Sequence, residues 1–283
     1  MINKTFVFSA LLAVSLIWTG VVRAAPPLGS ATLNTPGITK TLVLPPAADN
    51  SPVISLGTAL DPATGRQVEG WAIIHRKDNL AKPAGAKPGA ASCYGYLAKG
   101  AKWKIVEPWL VNPANTRLLD GTTVFNLLTA GVTKWEDATD GNIINGAGVN
   151  VLGSGSITDA ALVADTISPD NQNEVYFADI TDSNAIAVTI VWGIFGGPPS
   201  GRQLVEWDQV YDDVTFDWSA EAAGVGGKMD FDNIATHELG HSVGMADLYN
   251  TCIDETMYGY SANAETKKRD LNTGDITGVN ALY

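Results

Sequence analysis

Apolar and polar positions alternate with two different periods along this chain, and the changes of period mark its elements. Gln67 to His75, Glu174 to Ala178, Ala185 to Trp192 and Gln203 to Val214 are rich in β-branched and aromatic residues and read as strands. Trp103 to Val111 also reads as a strand, with Pro108 placing it at an edge or a bulge. Helical spacing appears where Val124, Phe125, Leu127, Leu128, Val132 and Trp135 follow Asp120, a residue suited to cap a helix. Asp230 is placed to cap a second helix from Phe231 to about Gly244. Thr273 or Asp275 opens a short last helix carrying Val279, Leu282 and Tyr283. Strands and helices in this order predict an α+β fold, a mixed sheet with packed helices.

The pattern also divides the chain. Lys4 precedes an apolar run from Phe6 to Trp18, and Val22-Arg23-Ala24 offers the small and apolar residues of an export-signal cleavage site. Residues 1–24 are therefore expected to be a signal peptide cut after Ala24, and the mature protein is expected to be secreted, with no lasting membrane anchor. Residues 25–92 form a pro-segment or extension ending in the Pro/Gly-rich stretch Ala81 to Ala91, and residues 93–283 pattern as one compact domain. The net charge of −12 argues against nucleic acid or anionic lipid as a partner, since both reward Lys and Arg. Oligomeric state is not legible.

The second helix carries the chemistry. Residues His237 to Asp247 read His-Glu-Leu-Gly-His-Ser-Val-Gly-Met-Ala-Asp, and this string uses two of the three His in the chain. His237 and His241, four apart, project from one helix face and can share a zinc ion, with Glu238 within reach of the water on that metal. Leu239 and Val243 lie on another face and can pack into the core. Gly244 permits a positive φ, so the helix can stop and the chain can turn back, bringing Asp247 toward the same metal. Two imidazoles and one carboxylate leave a position open, as a single catalytic zinc requires. A loop carboxylate facing water is the bland reading of Asp247. His75, inside an apolar strand, reads as structural.

The string His237-Glu-Leu-Gly-His241-Ser-Val-Gly244-Met-Ala-Asp247 resembles the elongated zinc motif of the metzincin metallopeptidases, and Thr256-Met257-Tyr258-Gly259-Tyr260 resembles their Met-turn. Tyr directly after the Met, the ending Gly274 to Tyr283 and Lys102-Trp103-Lys104 resemble the matrixins. The resemblance implies a mostly parallel twisted sheet with a long first helix, an active-site helix and a C-terminal helix. It implies a secreted zinc endopeptidase acting on protein or peptide substrates through zinc-bound water, with His237, His241 and Asp247 as ligands, Glu238 as general base and Met257 beneath the metal. Most matrixins have His where Asp247 stands; Asp is the snapalysin-like choice. The residues for a second, structural zinc are absent, as is a legible Cys-containing propeptide motif.

Several readings stay open at this stage. An extended substrate needs an edge strand, for which Ala185–Trp192 and Gln203–Val214 are candidates. Cys93 and Cys252 can form a disulfide in an oxidising compartment; alternatively, Cys93 as thiolate holds the metal and keeps the enzyme latent. Asp170-Asn171-Gln172-Asn173-Glu174 and Asp212-Asp213 can hold calcium, but the first lacks the Gly of an EF-hand loop, which favours ordinary turn chemistry there. Trp192, Trp207 and Trp218 read as core. The rival function is a catalytically silent secreted or envelope-associated binding protein that keeps the fold; Glu238 speaks against it, because a relic metal site has no need of a base.

Overall fold

The computed structural model describes residues 40–46, 51–77, 92–249 and 252–283. The expected signal peptide and the Ala81–Ala91 stretch lie outside them. Strands β1 (Thr41–Leu42), β2 (Val53–Leu60), β3 (Gln67–Lys77) and β4 (Trp109–Asn112) precede helix α1 (Gly121–Asp137). Strands β5 (Gly155–Ile157), β6 (Asn173–Ile180), β7 (Ala185–Ile194), β8 (Gln203–Asp212), β9 (Trp218–Ser219) and β10 (Met229–Asp230) follow, then helix α2 (Phe231–Ser242), β11 (Tyr260–Ser261) and helix α3 (Thr273–Leu282). Among the described residues the main sheet runs β11-β3-β7-β8-β6-β4-β5, with β2 added to β3 and β1 to β6. β5, β4, β6 and β8 are mutually parallel, while β7 runs antiparallel to both β8 and β3. This is the mixed α+β architecture the sequence predicts.

The helices start where the sequence places their caps. Asp120 accepts from Thr123 N at the start of α1, and Asp230 accepts from Asn233 N at the start of α2. Each satisfies one of the amides that a helix N-terminus leaves unpaired. At α3 the cap is Asn272, one residue earlier than expected, and its amide donates to the Asp275 carboxylate. Two apolar clusters sandwich the sheet. One joins Trp135 and Leu128 of α1 and Ile234 and Leu239 of α2 to Trp207 and Val191. The other packs Ala72, Ile74, Val188, Ile190 and Trp192 on the opposite face. Trp192, Trp207 and Trp218 are all buried, as core residues.

Three expectations change. Only Trp109–Asn112 of the Trp103–Val111 run is strand. Pro108 has no N–H to give a ladder, and Trp103 docks instead on the end of α2, its Nε1 donating to Ser242 O at 2.7 Å. The boundary expected between residues 92 and 93 does not part the sheet: residues 53–77 supply β2 and β3, and β3 lies beside β7 inside the compact unit Thr32–Tyr283. Neither strand proposed as an open edge is open. β7 is flanked by β3 and β8, and β8 by β7 and β6.

Cys93 and Cys252 are joined, with Cα atoms 5.6 Å apart across 159 residues of sequence. No cysteine is free, so Cys93 is not available to a metal in this form. Closing so long a loop restricts the unfolded chain, by about 5 kcal/mol at most in the chain-entropy model. Replacing both cysteines by Ser should therefore lower the unfolding free energy by about 2–5 kcal/mol in urea titrations.

Candidate metal centre

Helix α2 is buried along nearly its whole length, including His237, Glu238 and His241. A buried imidazole must find partners or lose its charge. His237 Nδ1 donates to Thr256 O at 2.6 Å, and His241 Nδ1 to Met245 O at 2.9 Å. These bonds fix both tautomers, leaving each Nε2 with a free lone pair. The two Nε2 atoms lie 3.1 and 3.4 Å from Asp247 Oδ1. None of the three atoms has a hydrogen-bond partner, and all are buried. Tetrahedral zinc with bonds of about 2.0–2.1 Å spaces its ligand atoms about 3.3–3.4 Å apart. Two neutral nitrogens and one carboxylate oxygen, converging and otherwise unsatisfied, fit such an ion.

The turn after α2 makes the convergence possible. Gly244 has φ of +102°, and a Cβ there would lie 2.9 Å from Ala101 O. Asp247 then reaches back toward the helix, its Oδ2 accepting from Tyr249 Oη at 2.8 Å. Met257 is fully buried, with its sulfur where a side chain on Gly240 would sit, 2.2 Å from the added Cβ. Only glycine at 240 allows that approach. The Met-turn is itself tied down: Asp275 of α3 accepts from Thr256 N at 2.7 Å and from Met257 N at 3.2 Å. Thus α3 holds Thr256, and Thr256 orients His237.

Glu238 has both oxygens engaged. Thr189 Oγ1 of β7 donates to Oε2 at 2.5 Å, and His75 Nδ1 of β3 lies 2.9 Å from Oε1. The Lys268 ammonium reaches His75 Nε2 at 3.3 Å and also donates to Tyr260 O and Ser261 Oγ. A cation can only donate, so Nε2 accepts and Nδ1–H donates to the carboxylate. Burial, with the neighbouring His237 and Lys268 charges, holds His75 well below the usual imidazole range. Burial pushes His237 down to about 4, Glu238 up to about 7 and Lys268 down to about 8. Burial would raise Asp247 too, but the two imidazoles outweigh it and hold its carboxyl well below the ordinary range.

His237, His241 and Asp247 therefore gather at one point, Glu238 borders it, Met257 packs against Gly240 of the same helix and Gly244 makes the turn. Sequence reasoning did not foresee His75, Thr189 and Lys268 around Glu238. The one usable signal was that His75 is the sole His outside the motif. Away from this centre, Asp212 and Asp213 direct carboxylate oxygens at backbone amides, among them Val214 N and Thr116 N, as turn residues do. Asp170 gathers with Asp165 and Glu206. Glu206 Oε1 and Asp165 Oδ2 are buried there without partners. Calcium has no support beyond this acidic grouping.

The Matrixin family model matches residues 168–283. That span takes in β6, β7, β8, α2, the Met-turn and α3, hence every residue gathered at the centre except His75. No curated protein matches the chain. Over the matched span the chain is similar to the matrixins.

Two outcomes follow. Asp275→Asn keeps the size of the side chain but removes the charge that holds the Met-turn amides. Zinc affinity, read by competition with a chromogenic chelator, should fall about 10- to 100-fold, with the helical signal retained. The second concerns pH. Burial, with Asp208 and Asp165 beside it, pushes Glu206 up to about 10, and burial pushes Glu174 up to about 7, from 4.5. Carboxyls raised on folding contribute stability below their unfolded pKa, and that contribution is lost as pH rises through the folded value. Urea midpoints measured in chelator should fall between about pH 5 and pH 9, and Glu206→Gln should flatten the slope.

Proposed function

We propose that this matrixin-like chain is a secreted zinc-dependent endopeptidase, with Glu238 as its general base and His237, His241 and Asp247 as the zinc ligands. The observation that carries the reading is the set of three buried, unpartnered ligand atoms with a carboxylate beside them. A structural metal site needs no such base, so Glu238 favours catalysis over a silent binding role. Zinc, when bound, supplies Lewis acidity, polarising a peptide carbonyl and making water a better nucleophile.

The chain's own groups do the rest. Glu238 takes a proton from the attacking water at a carboxylate oxygen and returns it to the leaving amine. Its raised pKa suits both halves of that exchange, since the group has to hold the proton between them. Thr189, donating to Oε2, fixes the plane of the carboxylate. The substrate is a protein or peptide, as the family relation supports; side-chain preference is left open. The expected signal peptide and the even pair of cysteines support export. No helix among the described residues is long and apolar enough to cross a membrane.

Glu238→Ala should retain zinc while losing on the order of 100- to 10,000-fold in turnover, and more if one group serves twice. Casein digestion with and without chelator, alongside metal analysis, checks both halves. Near-normal turnover in the variant would remove Glu238 from this role, and a zinc-loaded parent that digests nothing in any form would favour the binding protein.

A further inference from the structure

The third ligand differs in kind from the other two. An imidazole whose Nδ1 is bonded to a carbonyl has one nitrogen left for a metal, whereas a carboxylate has two oxygens, and one or both can bind. Two oxygens on a zinc ion would crowd the position that catalysis needs open. The surroundings of Asp247 therefore decide how many oxygens it offers.

Those surroundings hold the two oxygens apart. Oδ1 faces His237 Nε2 at 3.1 Å and His241 Nε2 at 3.4 Å, and it has no hydrogen-bond partner. Oδ2 instead accepts from the Tyr249 hydroxyl at 2.8 Å. Turning Oδ2 onto the metal would cost that hydroxyl its charged acceptor.

The Met-turn sets the place of Tyr249. Leu248 bridges Tyr258 in parallel, Leu248 N donating to Met257 O at 2.8 Å and Gly259 N to Leu248 O at 3.0 Å. This pairing brings the Tyr249 ring against Gly259. A Cβ at 259 would lie 2.4 Å from Cε1 of that ring, 2.5 Å from Cζ and 2.8 Å from Oη, closer than side chains approach. Gly259 does not have a left-handed φ, so its backbone has no need of glycine; the ring does. Tyr260 packs edge-on against the same ring, with centroids 5.2 Å apart.

We infer that Tyr249, seated in the space Gly259 leaves, is a positioning residue of the metal centre: its hydroxyl keeps Oδ2 of Asp247 off the ion. The third ligand then binds through one oxygen, and a coordination position stays open. The inference rests on the zinc reading of His237, His241 and Asp247, and it gives Tyr249 and Gly259 a joint role within that site.

The test reads coordination number without turnover. The full chain is stripped with a chelator and reloaded with cobalt, whose four-coordinate form absorbs visible light more strongly than its five-coordinate form. Tyr249→Phe removes the hydroxyl and keeps the ring, so Oδ2 becomes free to bind. Absorbance per bound cobalt should drop, while the circular-dichroism signal stays that of the parent. Gly259→Ala should give the same drop by pushing the ring aside. The double variant should lose no more than Tyr249→Phe alone, because both changes act through one hydroxyl. Parent-like absorbance in Tyr249→Phe overturns the inference. So does a Tyr249→Phe chain that no longer retains cobalt, since the phenol would then be needed for binding itself. A folded Gly259→Ala chain with the parent's absorbance overturns the seat, and if that variant does not fold, Tyr249→Phe decides alone. A parent chain that takes up neither zinc nor cobalt overturns the ligand reading instead, and the peptidase reading with it.

Discussion

Everything at the centre depends on burying two imidazoles with one nitrogen of each bonded to a backbone carbonyl and the other aimed at one point. A neutral ring has one donor and one acceptor. The chain supplies an acceptor for each donor, Thr256 O and Met245 O, and gives the acceptors nothing among the protein's own donors. That asymmetry turns two histidines into a metal site. Other features around α2 serve it: Asp275 positions Thr256, the left-handed Gly244 brings Met245 and Asp247 round, and Gly240 lets Met257 pack against the helix.

The same economy of partners explains the surroundings of Glu238. A carboxylate fully removed from water needs a donor for each oxygen, and here Thr189 and His75 provide them from adjacent strands. His75 in turn is fixed by Lys268, an ammonium buried among Tyr260 O, Ser261 Oγ and the ring nitrogen. The polar chain from Lys268 through His75 to Glu238 joins β3 to α2. Each oxygen of Glu238 thus has one donor, of about two that it can accept.

The disulfide and the strand order divide the chain in a way that composition alone does not. Residues from Cys93 onward are tied to the loop before the Met-turn, while residues 53–77 reach the sheet only through pairing and packing. β3 is held from both sides, by β7 and by β2.

Much of the centre was legible in the sequence because its geometry is local. His237, Glu238 and His241 share a helix face by the 3.6-residue period, Gly244 marks a turn by its missing side chain, and Asp120 and Asp230 mark helix starts by their short acceptors. The α+β class and the positions of β3, β6, β7 and β8 followed from alternation and β-branched composition. The surroundings of Glu238 were not legible. His75 meets Glu238 across 163 residues, and neither a period nor a spacing encodes a contact at that distance. The same holds for edges. Which strand stays open depends on what pairs with it, so β7 read as an edge until β3 was seen beside it. Local chemistry is written in the order of residues, whereas neighbours from distant parts of the chain are chosen by the sheet, whose hydrogen bonds carry no sequence label.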